Sequence, residues 1–139
     1  MLYILRFSFL LLLLLQVNLN AKEYAVVASF AYEDMPINKI KALFLKKSAY
    51  VGSFKIVPLN LSLGDAGRNS FEKNVLGMNF PTLKSYWTKQ HYLGHRPPIS
   101  LKSQKAMKAF IKNVQGAIGY IELKNVDREL NILYIWSDN

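Results

Sequence analysis

The stretch SLGDAGRNSF, residues 62–71, holds the residue types most suited to binding chemistry in this chain. Two glycines on either side of an acid make a loop, and an apolar periodicity then opens a helix. Such a junction brings backbone N–H groups and the positive end of the helix dipole together, which favours an anion. Arg68 adds a permanent, bidentate positive charge. Ser70 offers a hydroxyl, Asp65 an acceptor for a protonated oxyanion, and Gly67 and Asn69 complete the candidate ligand-binding set. The same residues also admit a plain structural reading, in which Asp65 only caps the helix and Arg68 is a solvated charge.

Other chemistries find less support. His91 and His95 are four apart, but Gly94 and Pro97 break the helix between and after them, and no third ligand accompanies them; zinc sites use three or four. The chain has no cysteine and no Gly-x-Ser-x-Gly elbow, so nucleophilic catalysis has no motif behind it. The expectation is a non-enzyme with no metal and no cofactor.

The elements that must position loop 62–71 follow from periodicity. YAVVAS (24–29) reads as a strand buried on both faces. Pro36 opens a helix with Ile37, Ile40, Leu43 and Phe44 on one stripe. SFKIVPL (53–59) reads as a second strand, which Pro58 would place near a sheet end or edge. Phe71, Val75 and Leu76 give the helix after the loop its buried side, and Gly77 ends it. FPTLKSYWTKQHYLG (80–94) is a further helix, with Pro81 in its first turn. Ser103 caps another, whose core stripe is Ala106, Met107, Phe110, Ile111 and Val114. Lys105, Lys108 and Lys112 form its wet side. Gly116 terminates that helix, AIGYIEL enters the sheet, and Gly119 implies a close neighbour there. LNILYIW (130–136) is the last strand. Strands alternating with helices predict a three-layer α/β/α domain with a mostly parallel sheet.

Residues 1–21 have the layout of a secretory signal peptide: Arg6 is the one charge, Phe7–Leu15 is an almost unbroken apolar run, and Ala21 supplies a small residue for cleavage. A retained anchor is the alternative, although the apolar run is short for a span of about 20 residues. Removing 21 of the 139 residues leaves 118, enough for one domain over residues 22–139. That part holds seventeen basic and nine acidic residues, a net charge of +8. The excess favours anionic partners, and export to the periplasm argues against nucleic acid.

IKALFLKK, FKIVPLNL, FEKNVLG, YWTKQHYLG, a Pro-Pro pair and QGAIGYIEL occur in an order that resembles the phosphate-binding periplasmic proteins of ABC transporters. The resemblance spans residues 24–135 and is strongest to short, single-domain relatives equivalent to one lobe. It implies a type-2 periplasmic-binding-protein-like lobe. In the full-length family phosphate sits between two lobes, partly on an Arg-x-Asp-Gly-Ser-Gly-Thr stretch before a helix. With Asp65 on the Asp of that stretch, Leu63 stands in place of the Arg, and Gly67, Arg68 and Asn69 in place of Ser-Gly-Thr. The implied function is binding of phosphate or a related oxyanion, or an adaptor role toward an envelope protein once ligand binding has been lost.

The leader predicts a mature chain beginning at Lys22 and soluble in the periplasm. The intact mass of the native protein reads this directly; residues 1–21 retained in a membrane fraction would contradict it.

Overall fold

The computed structural model describes residues 21–138; the expected leader, apart from Ala21, lies outside them. Seven strands and four α-helices follow one another as β1 (Glu23–Ala28), α1 (Ile37–Phe44), β2 (Tyr50–Val51), β3 (Phe54–Lys55), β4 (Val57–Leu61), α2 (Ala66–Phe71), α3 (Phe80–Tyr92), β5 (Ile99–Leu101), α4 (Gln104–Asn113), β6 (Ala117–Glu122) and β7 (Asn131–Ser137). A π-helical turn, Glu72–Leu76, extends α2 and closes on Gly77 in the left-handed region.

The main sheet has the order β5-β4-β6-β1-β7. β4 pairs in parallel with β5 and β6, whereas β1 lies antiparallel between β6 and β7. Four of the five strands therefore point the same way, with β1 the reversed member. β1 is the most apolar segment of the sheet because it has neighbours on both sides and layers on both faces; Ala25–Ala28 are fully buried.

Alternation along β6 sets the layers. Tyr120 faces α1 and α2, stacking on Phe71 at 4.2 Å and meeting Phe44 at 6.1 Å. Gly119 faces α4, where a Cβ would overlap Met107 Sδ and press on Ile111. The close neighbour that the sequence implied at Gly119 is thus the core stripe of α4. Gly116 has φ +82°, and a Cβ there would run into the Lys55 carbonyl oxygen. It turns the chain from α4 into β6, two residues beyond the Val114 cap, and its carbonyl accepts from Val57 N–H at 2.9 Å.

The single strand expected over 53–59 is divided. A tight turn at Gly52 folds β2 on β3 as a separate hairpin. Ile56 N–H then bonds Ala49 O at 2.8 Å, so β4 begins only at Val57. β4 is not the edge strand that Pro58 suggested: it lies between β5 and β6, and Pro58 fits because it is second in the strand, before pairing with β5 begins at Leu59. β5, three residues on the sheet edge, had no pattern strong enough to announce it. Among the described residues, every buried core side chain lies between Tyr24 and Trp136.

Substituting Gly119 by Val should lower stability by about 1–3 kcal/mol through overpacking against Met107 and Ile111. The urea midpoint measures this, and an unchanged midpoint would contradict the placement.

Candidate functional site

The chain leaves β4 toward the Tyr120 face, where α2 packs, and leaves β5 toward the Gly119 face, where α4 packs. Adjacent parallel strands whose connections part to opposite faces open a crevice beyond their carboxyl ends, the usual ligand position in open α/β sheets. Leu61 and Leu101 are register partners at those ends. Ser62 Oγ–H donates to Leu101 O at 3.2 Å and ties the two loops together.

Asp65 has extended backbone and caps α2, its Oδ1 accepting from Gly67 N–H at 2.8 Å. Gly67 is buried against Leu61 and Tyr24, so this turn lies close on the sheet. Arg68 reaches back across the strand ends. Its Nε–H donates to Glu72 Oε1 at 2.8 Å, and its Nη1–H groups donate to Leu61 O at 3.0 Å and Ser100 Oγ at 3.3 Å. The Arg68 and Glu72 side chains are only 12% and 11% exposed. Among the described residues Nη2 has no hydrogen-bond partner. The guanidinium is therefore held at a fixed angle beside both strand ends, with its charge balanced by Glu72.

Asn69 is exposed at the loop surface. Ser70 turns the other way. It is buried, its Oγ accepting from Trp136 Nε1–H at 2.9 Å and from Asn74 Nδ2–H at 3.2 Å. The structure thus gathers Asp65, Gly67, Arg68 and Asn69 at the opening turn of α2 and commits the Ser70 hydroxyl to the core. A second helix starts beside the same crevice: Ser103, two residues past β5, caps α4 by accepting from Ala106 N–H at 3.0 Å. Neither α2 nor α4 has an acid in its first turn.

Beneath the loop lies a polar pair that sequence patterns did not single out. Tyr120 O–H donates to Asn60 Oδ1 at 3.0 Å, and Leu61 N–H donates to the Tyr120 oxygen at 3.2 Å. Burial pushes the Tyr120 hydroxyl well above the ordinary phenol range, which keeps it neutral. Glu72 was also missed, although its i,i+4 spacing from Arg68 was a readable signal. Ser62 and Ser100 had none beyond their places at strand ends. His91 and His95 are exposed, and among the described residues no three His, Asp or Glu converge on a metal position.

No family model matches the sequence, and no curated protein is significantly similar to it. Solved structures do share its architecture. One, described as a phosphate ABC transporter substrate-binding protein with bound phosphate from Clostridium perfringens, superposes with a TM-score of 0.64 over 81% of this chain, at 17% identity. An ABC-type phosphate transport receptor from Vibrio cholerae gives a TM-score of 0.64 over 81%, at 15% identity. The fold is periplasmic-binding-protein-like. The chain spans 44% and 46% of those two proteins, so a periplasmic-binding-protein-like lobe accounts for less than half of either.

Ser70→Ala should leave the buried Trp136 N–H without its acceptor, at a cost of about 1–3 kcal/mol. Chemical denaturation followed by Trp fluorescence measures it. A midpoint equal to the parent's would mean that Ser70 Oγ is not committed to the core.

Proposed function

We propose that this chain is an exported, periplasmic, non-catalytic binding module whose ligand is phosphate or a related small oxyanion, taken at loop 62–71. The observation that carries the reading is the convergence at the β4–β5 crevice. Two helix starts, α2 capped by Asp65 and α4 by Ser103, follow the two strand ends, and one rigidly held guanidinium lies beside those ends. First-turn N–H groups have no intrahelical acceptor, and the helix dipoles add partial positive charge. An oxyanion beside Arg68 would receive Nη2–H, while Glu72, Leu61 O and Ser100 hold the other donors in place. Asp65 and Gly67 shape the turn, Asn69 adds an amide at the rim, and Ser70 supports the turn from beneath. The fold that the chain shares with phosphate transport proteins supports the same assignment.

A second reading, an adaptor for an envelope protein, has its own observation. Leu63 and Phe80 are 67% and 56% exposed and flank a groove of about 410 Å3 that also includes Met78 and Asn69. Exposed apolar surface beside a charge-balanced Arg suits a protein partner better than a small anion.

The decisive measurement is phosphate titration by calorimetry or NMR. Arg68→Ala alone would strand the Glu72 carboxylate, so the informative variant is Arg68→Ala with Glu72→Gln. Loss of a charge-assisted hydrogen bond should weaken phosphate binding about tenfold to hundredfold. Lys108→Ala, on α4 and paired with Asp127, should leave affinity nearly unchanged. Thermal shifts in phosphate, sulfate and chloride at equal ionic strength supply a second readout, since a ligand of the folded state raises the melting temperature. Identical shifts, or no binding by the parent, would remove the oxyanion reading and favour the adaptor.

A further inference from the structure

Between Glu72 and Glu122 the chain contains eight Lys and Arg and no acidic residue, while the rest of residues 22–139 balances nine basic against nine acidic. The whole net charge therefore comes from one continuous segment, which builds α3, β5 and α4. On α4 part of it is neutralised locally: Lys108 and Lys112 both pair with Asp127, at 2.9 and 2.8 Å, and Lys112 also with Glu129. On α3 and the loop after it, Lys84, Lys89 and Arg96 form no ion pair among the described residues.

α3 is also the helix least absorbed by the core. Its fully buried side chain is Leu83, and Tyr86 anchors the same side by donating O–H to Leu45 O at 2.6 Å. Trp87, one turn past Leu83, is half-buried against the core and the Tyr86 ring, and its free edge borders a shallow groove of about 350 Å3 that also includes His91 and exposed Tyr92. At the end of the helix Tyr92 is 85% and Leu93 63% exposed, just before the Gly94 turn with φ +85°. An apolar tip therefore projects from the surface, flanked by three uncompensated cations and a Trp.

We infer that the outer face of α3 and its tip dock on an anionic phospholipid surface. Trp and Tyr settle at the headgroup level of a bilayer, and Lys and Arg beside them are drawn to acidic lipids. Tyr92 and Leu93 enter the headgroup layer, Trp87 lies at its rim, and Lys84, Lys89 and Arg96 meet the lipid phosphates. A projecting tip suits a deformable surface, whereas a folded protein partner would need a pocket shaped to receive it. This docking is independent of any oxyanion at the β4–β5 crevice.

The test uses residues 22–139 and vesicles of equal parts phosphatidylglycerol and phosphatidylcholine, with pure phosphatidylcholine as the neutral arm. Sedimentation should recover the protein with the anionic vesicles and leave it in solution with the neutral ones. Trp87 fluorescence should shift to the blue on binding, while buried Trp136 contributes a constant background. Lys89→Glu with Arg96→Glu should lower partitioning by more than about twentyfold, since each cation removed is worth about fivefold near such a surface. Tyr92→Ser with Leu93→Ser should lower it about tenfold through lost apolar burial. Thermal melting verifies that these exposed-site variants fold. Lys55→Glu with Arg128→Glu makes the same change in net charge elsewhere and should retain most of the binding. Equal losses in that control, or full binding by the Tyr92/Leu93 variant, would reduce the effect to general basicity and overturn the proposal. So would a parent that ignores anionic vesicles yet captures polyglutamate through Lys89 and Arg96, which would assign the patch to an acidic protein.

Discussion

The Tyr120 side chain joins the apolar core to the mouth of the sheet. Its ring stacks on Phe71, interplanar angle 8°, and meets Phe44 and Trp136 at 6.1 Å each. Its oxygen, in the same buried position, satisfies Asn60 and the Leu61 N–H. A buried hydroxyl without such partners would cost several kcal/mol of desolvation, so the ring can fill the core only where those strand-end groups receive it. Tyr120 thereby holds the β4 terminus, and with it the start of loop 62–71, together with the pairing to β5 and the Arg68 bond to Leu61 O. Trp136 repeats the arrangement on a smaller scale, its ring in the cluster and its N–H on Ser70.

Much of the framework was legible because it follows short-range rules. The helix stripes at Ile40, Leu43 and Phe44 and at Met107 and Ile111 are buried as their periodicity required. The Asp65 and Ser103 caps both carry the expected side-chain hydrogen bond. What stayed hidden depended on long-range pairing. Nothing local to YAVVA states that its neighbours will be antiparallel, because an apolar strand reads the same in either direction. The Pro58 strand begins four residues later than expected because a hairpin claimed Phe54 and Lys55, and strands of two residues leave almost no periodic trace.

The candidate site divides in the same way. Its loop, cap and charge could be seen as types at a spacing. Which way each side chain turns could not. Ser70 and Arg68 are two residues apart, about 200° around a helix, so one enters the core while the other returns to the strand ends. The partner that balances Arg68 sits one turn further along, and the hydroxyl that completes its fork comes from Ser100, on another strand. A crevice between strand ends is assembled from segments that meet only after the crossovers have formed.

The place of β1 in the sheet has a consequence for the order of events during folding. Tyr24 pairs with Glu122 on one side and Trp136 on the other, so the first of the described strands is the middle of a group whose flanks are the last two. Contacts this far apart in sequence close slowly. Until β6 and β7 are available, EYAVVA has both hydrogen-bonding edges open. The chain is thus kept from settling early by its own topology, and its vulnerable interval ends only when β6 and β7 close on either side of the strand that began it.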